Sequence, residues 1–283
     1  QKVKNIQIED LLERKPIVLD NKSISKQLKD KTVLISGAAG SIGSEIVRQV
    51  LTFNPKRVII LDQAETPLHH LSLELEKIHS KSKIHNVIAD VRNKEAMNRV
   101  FKLYKPQVVY HAAAYKHVPL MEENPSQAIL TNIEGTKHLA DLACEHEVIK
   151  FVMVSTDKAV NPSNVMGASK RIAEKYVQSL QIKNQRENRP NATKFITTRF
   201  GNVLGSNGSV VPLFTKQIAN GGPVTITHPD IIRYFMTIPE ACQLVLEAGA
   251  MGNGGEIYIF DMGKPVRILD LEKKMIKLAG FIP

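Results

Sequence analysis

From Lys31 onward, short apolar runs alternate with longer amphipathic stretches, and no other property of this chain restricts its fold so tightly. The runs 32–36, 57–61, 84–89, 107–110, 151–154 and 194–199 have the length and β-branched content of strands, and apolar residues recur at helical spacing between them. A parallel neighbour is reached only through a long crossover, so strand, helix, strand in repetition builds a parallel sheet. The pattern predicts an α/β protein whose doubly wound parallel sheet is covered by helices on both faces. With 43% hydrophobic residues in 283, the chain can bury a sizeable core.

The two ends read differently. Residues 1–30 are polar and irregular, with a short helical signal at 8–14 closed by Pro16, and are expected to form an arm packed on the sheet domain, itself expected over 31–200. From Val210 the alternation loosens: a helix is expected at 211–219, extended segments at 224–226 and 233–236, a helix at 239–250, a strand at 257–260 and a helix from about Ile268. Residues 201–283 are thus expected to form a smaller C-terminal lobe that binds substrate. The chain opens on Gln1 and stops soon after a helical pattern, so an excised fragment is expected.

The first apolar run feeds Gly37-Ala38-Ala39-Gly40-Ser41-Ile42-Gly43 and then an amphipathic helix. Glycines there permit a tight turn and the close approach of a pyrophosphate, whose charge is met by N–H groups at the helix start. A glycine pattern alone is weak evidence, but this one lies between a strand and a helix, and the next strand ends in Asp62. A carboxylate at that point accepts both hydroxyls of an adenosine ribose and repels a 2′-phosphate, which selects NAD over NADP. The bland alternative is an aspartate that caps the following turn. Asp90, ending the third strand, is expected to accept from the adenine amino group, with Val91 against the ring. Ala112 and the two alanines after it let the backbone pass close beneath the ribose. The expected fold is therefore a Rossmann sheet.

A formal net charge of +10 favours an anionic partner. The lysines are dispersed rather than interleaved with aromatics, which argues against nucleic acid. Cys144 and Cys242 are far apart in sequence, so no disulfide framework is implied. The histidines lack the tight spacing of a zinc site, and no metal is expected. No apolar run approaches the ~18–20 residues that span a bilayer.

Chemistry is expected after the fifth strand, where Thr156-Asp157-Lys158 leaves the sheet and a helix begins near Val165. Ligands of open α/β sheets bind at that edge. Lys170 follows Met166 by four residues, so the two share a helix face and the lysine is a candidate for holding a nicotinamide ribose. The segment 115–125, rich in proline and charge, is expected to be a loop over the strand ends from which Lys116 and His117 can reach a substrate.

The Gly37/Gly40/Gly43 loop, Asp62, Asp90, Asn132 and Lys170 resemble the extended short-chain dehydrogenase superfamily. That superfamily uses Tyr-x-x-x-Lys, and here Met166 occupies the tyrosine position of the catalytic set. With Thr156-Asp157-Lys158, and across 115–125, 155–171, 199–213 and 233–240, the chain resembles one branch closely. That branch is the large, membrane-anchored nucleotide-sugar 4,6-dehydratases of bacterial capsule and glycan biosynthesis, which act on UDP-N-acetylglucosamine.

The resemblance implies NAD as an internal redox cofactor and a UDP-4-keto-6-deoxy product; the missing tyrosine favours retention at C5, and the chemistry of dehydration makes Lys158 the base that removes the C5 proton, provided a nearby positive charge or desolvation lowers its pKa. The same chemistry makes Asp157, with a pKa raised by burial, the acid for the departing C6 hydroxyl, and Thr156 the contact to the C4 hydroxyl. Asn202, Ser209 and Arg233 are implied to contact uridine diphosphate, with Lys116 near the sugar or diphosphate. Membrane attachment is implied only through segments outside this chain, at the cytoplasmic face, and a homo-oligomer is expected. The alternatives are a C5-inverting dehydratase, a nucleotide-sugar 4-epimerase and a non-catalytic NAD sensor.

Overall fold

The computed structural model describes residues 21–78, 83–206, 209–226 and 228–282. They fall into two compact units: a larger one that runs to Arg199 and includes Cys242–Phe260, and a smaller one made of Phe200–Ala241 and the segment from Asp261.

Helix α1 (Asn21–Leu28) leads into β1 (Thr32–Ser36), followed by α2 (Ser41–Thr52), β2 (Arg57–Asp62), α3 (Glu65–Glu76), β3 (Ile84–Ile88), α4 (Lys94–Tyr104) and β4 (Val108–His111). Then come α5 (Val118–Glu123), α6 (Pro125–Ala128), a π-helical turn (Ile129–Gly135) and α7 (Thr136–Glu145). Strand β5 (Lys150–Thr156) opens into a short 3-10 turn (Asp157–Ala159), and α8 (Val165–Arg186) returns to β6 (Lys194–Phe200). The chain continues through β7 (Asn202–Leu204), α9 (Val210–Ala219), β8 (Ile232–Arg233), β9 (Phe235–Thr237), α10 (Ile238–Met251), β10 (Ile257–Ile259), β11 (Val266–Arg267) and α11 (Ile268–Leu278).

The sheet of the larger unit has the order β10-β6-β5-β4-β1-β2-β3, and its pairs β1–β2, β2–β3, β1–β4, β4–β5 and β6–β10 are parallel. Val33, Leu34, Ile35, Ile59, Ile60, Val109 and Phe151 are fully buried, as the unbroken apolar runs of a sheet covered on both faces require. The chain winds outward from β1 in one direction and then from β4 in the other, so the order reverses between these two strands. A crevice opens there at the carboxyl edge.

The structure corrects the sequence reading in several places. The segment before Lys31 is not irregular throughout: α1 buries Ile24 and Leu28, one turn apart, and Gln27 donates to the buried Tyr110 hydroxyl at 3.0 Å. The expected helix at 8–14 lies outside the described residues. Segment 115–125 contains α5 and the start of α6, because Pro119 and Pro125 occupy first-turn positions where the missing N–H has no helical partner to lose. Residues 224–226 form no strand: the Thr225 N–H donates to the Gln217 side chain at 3.3 Å instead of to a ladder.

The contiguous lobe expected over 201–283 is interrupted. Strand β10 pairs with β6 in the main sheet, and Lys150 Nζ donates to the carbonyls of Gly249, Ala250 and Gly252 at 2.6, 2.9 and 2.8 Å, satisfying the end of α10. In the smaller unit β7 pairs with β9 and β8 with β11, and α9 and α11 share a core of Leu204, Val211, Phe214, Phe235, Leu271 and Met275.

Candidate functional site

Steric fit fixes the glycine loop. Gly37 has φ +69°, and a Cβ on it would lie 2.5 Å from Ala113 N, so the loop runs against the backbone after β4. A Cβ on Gly43 would lie 1.9 Å from Gly37 O, which forces the first turn of α2 onto the loop. Gly40, the N-cap of α2, has no side chain with which to cap the helix that Ser41, Ile42 and Gly43 open. The cleft beside this loop is lined by Gly37, Gly40, Asp62, Gln63, Asp90, Val91, Ala112, Tyr115 and Thr131, among others.

Asp62 performs the capping role that the bland reading assigned to it. Its Oδ2 accepts from Ala39 N and its Oδ1 from Ala64 N, each at 2.9 Å. Each carboxylate oxygen has a second lone pair, so capping leaves acceptor capacity toward the cleft. Asp90 accepts from Arg92 N at 2.9 Å and from Arg92 Nε at 2.7 Å. Burial works to raise its pKa, but the Arg92 hydrogen bonds and charge outweigh this and hold it below the usual carboxylate value. Val91 is buried, and Gly135 has no side chain because a Cβ would come within 2.6 Å of Val91 Cγ2.

His111, fully buried at the end of β4, links Ser36 Oγ at 2.7 Å and Thr136 Oγ1 at 2.8 Å. The Thr136 hydroxyl proton is committed to Asn132 O, which assigns the imidazole N–H to Nε2 and leaves Nδ1 to accept from Ser36. Burial, aided by the charge of Lys170, lowers the His111 pKa to about 3, so the ring is neutral.

The loop after β5 is built differently. Thr156 caps the 3-10 turn by accepting from Lys158 N at 3.3 Å, and donates to Asp157 Oδ1 at 3.0 Å. Lys158 Nζ donates to the same Asp157 oxygen at 3.3 Å. The burial expected of Asp157 is not supplied by the protein, because its side chain is 54% exposed. That environment arises from a short polar turn that ends on solvent. The turn is nevertheless seated on α8, since a Cβ on Gly167 would lie 2.3 Å from Lys158 O.

Met166, at the tyrosine position, is 3% exposed. It is buried with Met121 and Ala128, with Tyr115 packed against them, where a thioether fills apolar space. Lys170 is 5% exposed, donates to Val154 O at 2.8 Å, and has its pKa lowered by burial to about 8.

Sequence reading missed the group beneath this loop. Glu174 is fully buried, accepts from Ser155 Oγ at 2.6 Å and from Arg199 Nε at 2.9 Å, and so ties α8 to β5 and to the end of β6. Burial works to raise its pKa, but Arg199 and Ser155 hold it below the usual value. The signal was present in the spacing, since Glu174 continues the Met166, Lys170 face by one more turn. Asn132 was also under-read: its side chain accepts from Tyr115 N at 2.8 Å and donates to Tyr115 O at 3.0 Å and Ser169 Oγ at 2.9 Å.

Lys116 is exposed, but the protein around it desolvates it enough to lower its pKa. Asn202, Ser209 and Arg233 belong to the smaller unit. Asn202 opens β7, Ser209 is the N-cap of α9 with its Oγ buried and without a hydrogen-bond partner among the described residues, and the exposed Arg233 donates to Ile232 O at 2.8 Å. Among the described residues no helix is long and apolar enough to cross a membrane.

Comparison with known proteins agrees with this architecture. The family described as "Polysaccharide biosynthesis protein" matches residues 33–283. The capsular polysaccharide biosynthesis protein CapD of Staphylococcus aureus is 56% identical over 279 residues, covering 98% of this chain and 46% of that protein. The chain thus spans less than half the length of that relative. A UDP-glucose 4-epimerase of Rickettsia typhi is 38% identical over 234 residues, covering 81% of this chain and 66% of that protein. The structure of the dTDP-glucose 4,6-dehydratase DesIV of Streptomyces venezuelae, solved with NAD and DAU bound, superposes with TM-score 0.77 at 23% identity over 88% of this chain and 81% of that one. The chain belongs to the polysaccharide biosynthesis protein family and has the Rossmann-type fold of the extended short-chain dehydrogenases.

Proposed function

We propose that this chain is the catalytic part of an NAD-dependent nucleotide-sugar 4,6-dehydratase that acts on UDP-N-acetylglucosamine and retains configuration at C5. The observation that carries this reading is the mutually hydrogen-bonded Thr156-Asp157-Lys158 set at the carboxyl edge of β5, beside a buried Lys170 and a buried Met166. In the parallel sheet β5 is two strands from β1, about 10 Å at ordinary strand spacing, which suits a dinucleotide whose pyrophosphate lies on the Gly37–Gly43 loop.

The residues present fit NAD. Gly37, Gly40 and the uncapped start of α2 leave backbone to approach a pyrophosphate, Asp62 keeps lone pairs for ribose hydroxyls, and Asp90 and Val91 line the adenine end. Bound NAD supplies a reversible hydride acceptor. Every other part of the chemistry falls to the chain's own groups. A ketone at C4 acidifies the C5 proton, and Lys158 is the amine proposed to remove it. Asp157 is proposed to protonate the C6 hydroxyl as it departs, and Thr156 to contact the C4 hydroxyl. Lys170 is proposed to hold the nicotinamide ribose. Asn202, Ser209, Arg233 and Lys116 are the proposed diphosphate and sugar contacts, with Arg233 the strongest anion partner.

The Rickettsia relative favours a second reading, 4-epimerisation, which needs the same cofactor and no acid at C6. Incubation with UDP-N-acetylglucosamine separates the two. Dehydration yields a product lighter by one water with a C6 methyl beside a C4 ketone, and the D-xylo isomer marks retention. An isobaric C4 epimer establishes the second reading, and an unchanged substrate overturns both.

A further inference from the structure

We propose that Tyr115 and Gln63 bind the dinucleotide as a hydrogen-bonded clasp across its adenosine half and slow its release. This inference rests on the dinucleotide reading of the cleft and adds two residues to it. Gln63 Nε2 donates to the Tyr115 hydroxyl at 3.4 Å, and both residues line the same cleft as Asp62, Asp90 and Val91. Gln63 comes from the end of β2 and Tyr115 from the end of β4, so the contact bridges two strand ends with β1 and the glycine loop between them.

Both anchors are fixed by other contacts. The backbone around Gln63 is held because Asp62 accepts from Ala39 N and from Ala64 N. The backbone of Tyr115 is held at both its N–H and its C=O by the fully buried Asn132, whose amide is in turn held by Ser169. The ring rests on the Met121, Ala128 and Met166 cluster, so the side chain has an apolar seat on one side and a polar tip at the cleft. A single hydrogen bond between two fixed elements adds little to stability where it is exposed. It acts mainly on a ligand that must pass it, and a cofactor returned to its starting state in every turnover need not leave.

The test is the release rate of radiolabelled NAD from the loaded protein after dilution into excess unlabelled NAD. The variants are Tyr115→Phe, Gln63→Leu and the double variant, with melting of each unliganded protein as the control. Each single substitution is expected to speed release about threefold to tenfold, as loss of one hydrogen bond implies. The double variant should match the faster single one, because both remove the same bond. Unliganded melting temperatures should stay together. Release from Tyr115→Phe at the wild-type rate, or single effects that multiply in the double variant, overturns the clasp. A wild-type protein that binds no NAD removes the cofactor reading itself, which is a different failure from wild-type binding with unchanged release.

Discussion

Asp62 and Asp157 stand at the carboxyl ends of strands in one sheet, yet the protein treats them in opposite ways. Asp62 is tied by both oxygens to backbone N–H groups on either side, so its position is set before any ligand arrives. The Asp157 side chain accepts from its immediate sequence neighbours, Thr156 and Lys158, and half of it faces water. The proposed binding half of the site is thus held in place by contacts within the chain, whereas the proposed reacting half is a short turn open to solvent. Preorganisation serves affinity, since ordering is paid before binding.

The contrast is tested most severely by Lys158→Ala and Asp157→Asn. Each is expected to lower turnover with UDP-N-acetylglucosamine by about 10²–10⁴-fold, the usual weight of a general acid or base, with NAD affinity unchanged. If either variant lost NAD binding as well, the two halves would not be separable. Gly167→Ala asks whether the turn depends on its seat. The new Cβ would lie 2.3 Å from Lys158 O, so the turn must lift from α8, and turnover is expected to fall about a hundredfold for a displacement near 1 Å. Wild-type kcat in this variant would show that the seat does not matter.

Asp62→Asn probes the other half. Replacing a charge-assisted acceptor with an amide is expected to weaken NAD about tenfold to a hundredfold by calorimetry and to narrow the preference for NAD over NADP, with kcat at saturation little changed. A variant that still excludes NADP as well as wild type would place that selectivity elsewhere in the cleft.

The same division governs what the sequence disclosed. The glycine loop and the alternation of strands and helices in a parallel sheet were legible because backbone geometry and period leave few alternatives. The helical spacing between the strand runs is realised at Lys94–Tyr104, where Asn93 accepts from Ala96 N as the cap. Strand β10 was read as a strand but not as a member of the main sheet, because three residues carry no signal of which neighbour they pair with. The prolines of 115–125 misled because proline stops a helix interior but starts a first turn equally well. Burial of Asp157 was inferred from the role assigned to it rather than from its neighbours, and a polar turn at a sheet edge has nothing to bury it with. Glu174 escaped notice because a glutamate on a long helix is ordinarily solvated, and the partners that make its burial tolerable include Arg199 and Ser155, both distant in sequence.

Lys170 is proposed to hold the nicotinamide ribose, and its titration gives the smallest and most informative effect. Burial lowers its pKa to about 8, so in the unliganded protein the amine is charged below that pH and neutral above it. A ribose hydroxyl accepting from the ammonium favours the charged form, so binding is coupled to proton uptake once the free amine has lost its proton. The sign follows: NAD affinity is flat below about pH 8 and declines as pH rises beyond it, by less than about tenfold over the next pH unit, which is the limit for one linked proton. Lys170→Met should bind more weakly at neutral pH and show no decline. If the variant keeps the wild-type pH profile, the titrating group is another one and Lys170 serves the Val154 carbonyl alone. If wild type declines and the variant does not, the buried lysine reports on the cofactor while standing one helix turn from Met166, on the helix that seats the reacting turn.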